Sequence, residues 1–214
     1  MIDRARVERG ATAARVSAVA GAVGLVAIVL FFTVGGPFGT INDVAGLVMI
    51  GSLAFVMLAH YELGGIVPLW PARLSLGGAM LVVVGWAVLQ VGFILGWLNV
   101  ADVQQAATGG WAVQAVLLGF IGLWIAGASL LAGPWLPPLV RTLGIVTGAG
   151  LVVMAIGLIQ GGYSSLWANV GGSGFQIVLP VWAFLLGRVF GARAAAAATA
   201  APAPAASAPG PAAA

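Results

Sequence analysis

Residues 78 to 100 read GAMLVVVGWAVLQVGFILGWLNV, and none of these 23 residues carries a charged side chain. A helix needs about 20 consecutive apolar residues to cross the roughly 30 Å hydrocarbon core of a bilayer, so this stretch is long enough to span one. The rest of the chain has the same character, because 62% of its 214 residues are hydrophobic and 6% are charged. A soluble domain carries about a quarter of charged residues. The sequence therefore predicts an integral membrane protein.

Five further apolar stretches accompany this one, so we predict an all-α polytopic fold with six transmembrane helices. The predicted spans are residues 16–34, 41–59, 74–98, 111–132, 142–160 and 175–190. They form a transmembrane domain over residues 16–191, between a basic, helical cytoplasmic lead-in at 1–15 and a disordered Ala/Pro-rich cytoplasmic tail at 192–214. The first span is longer than the apolar region of a signal peptide and lacks a small-x-small cleavage site, which favours a retained anchor.

The basic residues predict the orientation of the spans. All eight are arginines, and threading six spans through a membrane places every one of them on the same side. Cytoplasmic loops retain basic residues, so Arg15, Arg73, Arg141 and Arg188 mark the cytoplasmic ends of their spans. We predict a bacterial inner-membrane protein with both termini in the cytoplasm. The sequence pI near 10.7 then reflects orientation and contact with anionic lipid, and nucleic acid is not a predicted partner.

An internal repeat organises the spans. Residues Gly148–Val170 match Gly78–Val100 at ten of 23 positions without a gap, including Gln90 with Gln160 and Trp97 with Trp167. Weaker similarity extends to the first span and to the openings of the fourth and sixth. This pattern predicts three parallel helix hairpins, spans 1–2, 3–4 and 5–6, related by an axis along the membrane normal. The first hairpin is the most diverged.

Uncharged polar side chains are predicted to collect in the outer half of the membrane. The candidate ligand-binding residues are Asn42, Gln90, Gln114, Gln160, Tyr163 and Gln176. Two interpretations stay open at this point. The amides can bond across helices and hold the bundle together, at about 0.6 kcal/mol each. They can instead line an outward-facing pocket for a small neutral or lipid-like molecule.

Tryptophans mark both predicted membrane surfaces. Trp97, Trp111 and Trp167 fall at the outer boundary and Trp70 and Trp135 at the inner one, as expected of an interfacial aromatic belt. We interpret these five residues as interfacial anchors.

The sequence offers little for catalysis. It has no cysteine and one histidine, His60, at the inner end of the second span, which we expect to be a surface or hydrogen-bonded residue without a metal or haem. Glu62, two residues after His60, can form an ion pair with Arg73 across the short inner loop. Residues 171–174 (GGSG) resemble the GxSG of rhomboid intramembrane proteases, which need a histidine on a later helix. We therefore predict a Gly/Ser outer turn there, and neither an enzyme nor a cofactor site.

The chain resembles the small, uncharacterised six-helix membrane proteins of high-GC bacteria over residues 16 to about 193. The resemblance rests on GGPFGTINDVAG in the first outer loop and LPVWAFLLGR at the end of the last span. It implies a six-helix fold and no activity. The leading functional prediction is a non-enzymatic structural or accessory membrane component, whose partners are the lipid bilayer and other membrane proteins. The alternative is a transporter or binder of a small uncharged or lipid-like solute at the outer amide cluster.

Overall fold

The computed structural model describes residues 2–64, 70–97 and 110–199, and in these ranges the chain is helical, without strands. The helices that it describes are α1 (Arg4–Val34), α2 (Phe38–Gly51), α3 (Leu53–Leu63), α4 (Trp70–Ile94), α5 (Gly110–Leu131), α6 (Pro138–Gly161) and α7 (Leu166–Thr199). A 3-10 turn at Gly162–Ser164 precedes α7. The predicted all-α fold is confirmed.

The helices have the length and surface of membrane spans. Four described segments are long and apolar enough to cross a bilayer: α1, α2 with α3, α6 and α7. Large apolar side chains such as Phe32, Leu81 and Leu131 lie more than 70% exposed on the bundle surface. Exposing such a surface to water is unfavourable in free energy, whereas exposing it to lipid hydrocarbon is not. The coarse prediction of a helical membrane protein is therefore supported.

Consecutive segments pack side by side, and α1 packs against α7, so the helices close a ring. The ends of the bundle differ in composition. Glycines with a positive φ lie at one end of the bundle, which we name the glycine end. They are Gly35, Gly36, Gly96 and Gly162. Arginine side chains that hydrogen-bond to other segments of the chain lie at the opposite end, which we name the arginine end. They are Arg6, Arg141 and Arg193.

The second span differs from its prediction in being two helices. α2 and α3 are separated by Ser52, whose φ of −68° and ψ of −19° deviate little from a helix. The carbonyl of Met49 accepts hydrogen bonds from the hydroxyls of Ser17 (3.0 Å) and Ser52 (2.9 Å). Serine hydroxyls bonded to helix carbonyls commonly bend a helix, which accounts for the interruption.

The last helix differs from the sequence prediction in three respects. Its predicted span was 175–190, but α7 covers Leu166–Thr199 and passes through Pro180 without ending. The predicted Gly/Ser turn at 171–174 is wrong, because these residues lie inside α7, where the lack of a Cβ at Gly171 lets it approach the backbone of Gly150 and Met154 on α6. The tail was predicted to be disordered from 192, but helix continues to Thr199 because alanine favours it and Ala194 is buried. Residues 200–214 lie outside the described ranges.

The predicted lead-in is a packed part of α1. Helix starts at Arg4, with the Asp3 carboxylate accepting from the Arg6 amide at 3.2 Å as an N-cap. Glu62 at the end of α3 accepts from the Asp3 backbone amide (2.7 Å) and from Arg6 Nη1 (3.1 Å). Glu62 is thus bound to the amino terminus of α1, and the side chain of Arg73, its suggested partner, lies outside the described residues.

We expect Glu62→Gln to lower the free energy of unfolding by about 1 kcal/mol, since it removes one charge from a pair in which the Glu62 side chain is 11% exposed. The matched control is Glu8→Gln. Glu8 pairs with Arg4 at 2.7 Å on the open surface, where such a pair contributes about 0.5 kcal/mol or less. Thermal unfolding in detergent compares the variants, and equal effects would contradict an anchoring role for Glu62.

Candidate functional site

A small cavity opens between the helices near the glycine end. Its volume is about 110 Å³, and α1, α2, α5, α6 and α7 all contribute to its wall. Its polar lining consists of Asn42 and Asp43 from α2 and Gln176 from α7. The apolar lining includes Leu25, Met49, Ile50, Leu118, Met154 and Phe175. A few polar groups on an apolar wall are typical of a small-molecule site.

Glycines on α1 position the polar side chains. Gly24 faces α2, and a Cβ built on it would lie 3.5 Å from Asn42 Oδ1 and 3.4 Å from the Ala45 Cβ. Gly21 faces the Met49 sulfur (3.0 Å) and the ring of Pro180 (2.8 Å) in the same way. α2 and α7 can therefore both approach α1 closely. Asn42 also hydrogen-bonds the carboxylate of its neighbour Asp43.

The structure brings together two of the six predicted ligand-binding residues, Asn42 and Gln176. Gln160 is exposed near the end of α6 and does not line this cavity. The side chains of Gln90, Gln114 and Tyr163 lie outside what the structure describes. Asp43 was missed, because it was assigned to the outer loop although the predicted second span starts at 41. α2 begins at Phe38, so Asp43 lies within the helix.

Apolar packing closes the cavity toward the arginine end. Ile50 and Leu118 form part of its wall, and the next inward positions on the same faces are Leu53 and Met57 on α3 and Ile121 and Ile125 on α5. These four side chains are at most 1% exposed. Among the described residues, the lining thus offers no polar path through the bundle at this point.

A second cavity of about 550 Å³ lies at the arginine end, between α3, the end of α5 and the segment that follows it. Its wall contains His60, Tyr61, Trp124 and Trp135. His60 is 6% exposed, and its Nε2 lies 3.0 Å from the carbonyl oxygen of Ala128. Its ring contacts Trp135 and Trp124 edge to face, with centroids 4.8 and 5.8 Å apart. His60 is therefore a buried, hydrogen-bonded residue.

The predicted anchors occupy different environments. Trp97 and Trp167 are largely exposed at the glycine end. Trp135 is half-buried and packs on His60 and Phe190, so it also belongs to the core. The side chains of Trp70 and Trp111 lie outside the described part of the chain.

The predicted topology arginines also differ in contacts. Arg141 Nη2 donates to the carbonyls of Ala132 (2.8 Å) and Gly133 (3.0 Å), just after the last turn of α5. A cation at this position complements the negative end of a helix. Arg15 and Arg188 are exposed, and the side chain of Arg73 is outside the described residues.

Within the described ranges, no three His, Asp or Glu side chains lie close enough together to hold a metal ion. Fold and surface define the chain as an all-helical membrane protein. No protein-family model, curated protein or solved structure matches it.

Proposed function

We propose that this chain is a six-span protein of the bacterial cytoplasmic membrane with both termini in the cytoplasm. Two observations support this topology. The arginines of the sequence fall on one side of six threaded spans, and those that bond other segments share the arginine end of the bundle. Basic residues are retained on the cytoplasmic side, so the arginine end faces the cytoplasm and the glycine end faces outward. Membership of the small six-helix family of high-GC bacteria stays a prediction.

The six spans form three parallel hairpins in this proposal. The sequence repeat between α4 and α6 is the first support. The second is that α1, α4 and α6, the odd-numbered spans, are each followed by a glycine with φ between 60° and 76°. Only glycine adopts such a conformation readily, so the outward-going helices share one way of ending. The glycines differ in register, because Gly162 aligns with Gly92 rather than with Gly96 in the repeat.

The cavity of Asn42, Asp43 and Gln176 carries the functional proposal. The chain binds a small polar solute that enters from outside the cell. With a volume of about 110 Å³, the cavity accommodates a molecule of a few heavy atoms. Asp43 adds carboxylate oxygens to the amides, so a solute with several hydrogen-bond donors, such as a small polyol or amine, suits it better than a purely apolar one. The packed apolar floor favours binding over transport, and the lining favours binding over catalysis.

Ligand-dependent thermal stability tests this proposal. The purified protein is melted in detergent with and without glycerol, urea, ethanolamine or methylammonium. We expect at least one of them to raise the melting temperature by mass action on the folded state. The double variant Asn42→Leu with Gln176→Leu should melt near the wild-type temperature and lose the ligand-induced shift. The control is Gln160→Leu, an exposed amide near the same end, which should keep it.

The opposite result favours the structural role. If the amides only hold helices together, the double variant melts at a lower temperature and no solute changes the melting of the wild-type protein. The chain would then be better described as a structural or accessory component of the membrane, in contact with lipid and other membrane proteins.

A further inference from the structure

The cavity at the arginine end has the size and lining of a second ligand site. Its volume, about 550 Å³, falls within the range of roughly 300–1,000 Å³ that is usual for small-molecule pockets. Four of its twelve lining residues carry aromatic rings, and Tyr61 stacks on Trp124 at a centroid distance of 6.4 Å. It shares no lining residue with the cavity at the glycine end. Binding here would therefore be independent of the proposed solute site.

The hydrogen bond of His60 fixes which ring nitrogen carries the proton. A carbonyl oxygen can only accept, so Nε2 must donate to Ala128 at 3.0 Å. In the neutral imidazole Nδ1 is then an acceptor. Nδ1 is buried and has no hydrogen-bond partner among the described residues. His60 thus has one free acceptor in an aromatic environment.

Trp124 supplies the complementary group. Its Nε1 is a donor only, and it too is buried without a partner in the described part of the chain. An unpaired buried polar group costs about 1–3 kcal/mol, so two of them in adjacent rings call for a ligand that satisfies both. The two rings contact each other with centroids 5.8 Å apart, so a single hydroxyl group that donates to His60 and accepts from Trp124 would satisfy both.

The rim of the cavity indicates where such a ligand comes from. Leu123 and Leu131 belong to the lining, yet they are 58% and 85% exposed on the apolar surface of the bundle. In a membrane this surface faces lipid. A molecule dissolved in the bilayer can therefore enter sideways without crossing water.

We propose that this cavity binds a lipid-soluble molecule whose head group is a hydroxylated aromatic ring, of the phenol or quinol class. The hydroxyl hydrogen bonds to His60 Nδ1 and the hydroxyl oxygen accepts from Trp124 Nε1. The ring of the ligand packs against Tyr61 and Trp135, and its hydrocarbon tail leaves past Leu131 into the bilayer.

The single histidine makes the test specific. Protein labelled with ¹⁵N in histidine and held in lipid nanodiscs gives one pair of ring nitrogen signals, which report Nδ1 and Nε2 separately. The probe is 4-hexylphenol, and the matched probe is 4-hexylanisole, in which a methyl group replaces the hydroxyl hydrogen. We expect 4-hexylphenol to shift the Nδ1 signal saturably and 4-hexylanisole to leave it nearly unchanged. No shift with the phenol, or equal shifts with both probes, would overturn the proposal.

Variants locate the binding. Gly127 lines the cavity, and a Cβ built on it meets no atom within 4 Å, so Gly127→Leu should fill the space and abolish the shift. Gly174→Leu, at an equally open helical position on α7 outside the cavity, should keep it. Trp124→Phe removes the Nε1 donor together with one ring of the indole, and it should weaken binding at least about fivefold, the value of one ordinary hydrogen bond. Trp124→Phe also tests the site if Gly127→Leu fails to fold. Unchanged affinity of Trp124→Phe for 4-hexylphenol would contradict the role of Trp124.

Discussion

Replacing Gly148 with leucine should unfold the bundle or lower its free energy of unfolding by about 3 kcal/mol, the upper part of the range for overpacking. Gly148 on α6 and Gly122 on α5 lie against each other where these helices cross. A Cβ on Gly122 would lie 2.6 Å from the Gly148 carbonyl oxygen, and one on Gly148 would lie 2.5 Å from the Ala126 amide nitrogen. Both obstacles are backbone atoms, which cannot move aside as a side chain can.

Such a crossing matters more in a membrane than in water. Lipid is as apolar as leucine, so helices in a bilayer associate through close packing, and small residues make it possible. The measurement is thermal unfolding in detergent, followed by helical circular dichroism and size-exclusion chromatography. Gly127→Ala on α5 is the control, since its added methyl group meets open space. A Gly148→Leu protein that melts like the wild type would show that α5 and α6 do not cross as described.

Replacing Gly24 with leucine should abolish solute binding while the protein still folds. A Cβ at Gly24 would make ordinary contacts with Ala45 and Asn42, at 3.4 and 3.5 Å, so the backbone need not shift. The remaining carbons of the leucine then extend into the cavity, whose wall Gly24 forms. At a solute concentration of 100 times Kd, the wild type gains about 2.7 kcal/mol from binding, and the variant should gain none.

Gly24→Ala provides the graded control for this prediction. One methyl group takes up little of the cavity, so this variant should bind more weakly than the wild type and more strongly than Gly24→Leu. Solute-induced melting shifts rank the three proteins. A Gly24→Leu variant that keeps the full shift would place the bound solute elsewhere.

Composition was sufficient to predict an all-helical chain with apolar helices long enough to cross a membrane. The end of α1 at Val34 was predicted to the residue, because Gly-Gly-Pro follows it and stops a helix locally. The start of α7 was missed by nine residues for the opposite reason. Glycines at 171, 172 and 174 have turn-like composition, yet Gly171 meets the backbone of α6. Whether such a glycine ends a helix or lets two helices touch depends on tertiary packing, which local composition does not carry.

The candidate sites show the same limit. Asn42 and Gln176 were predicted from membrane depth, but depth alone does not tell which helices are neighbours. Gln160 was assigned to the same half of the membrane, yet it lies near the end of α6 and outside the cavity. The cavity of His60 was not predicted, because His60 and Trp124 are 64 positions apart and no periodicity connects them. Only the packing of α3 beside α5 brings these residues together.

The orientation of the bundle is the central claim, and cysteine labelling tests it most directly. The chain has no cysteine, so single substitutions at the exposed residues Ser164, at the glycine end, and Thr199, beyond the arginine end, give clean reporters. Intact cells are treated with a maleimide that does not cross the bilayer. We expect labelling of Ser164→Cys in intact cells and of Thr199→Cys only after permeabilisation. Labelling of Thr199→Cys in intact cells, with Ser164→Cys protected, would contradict it.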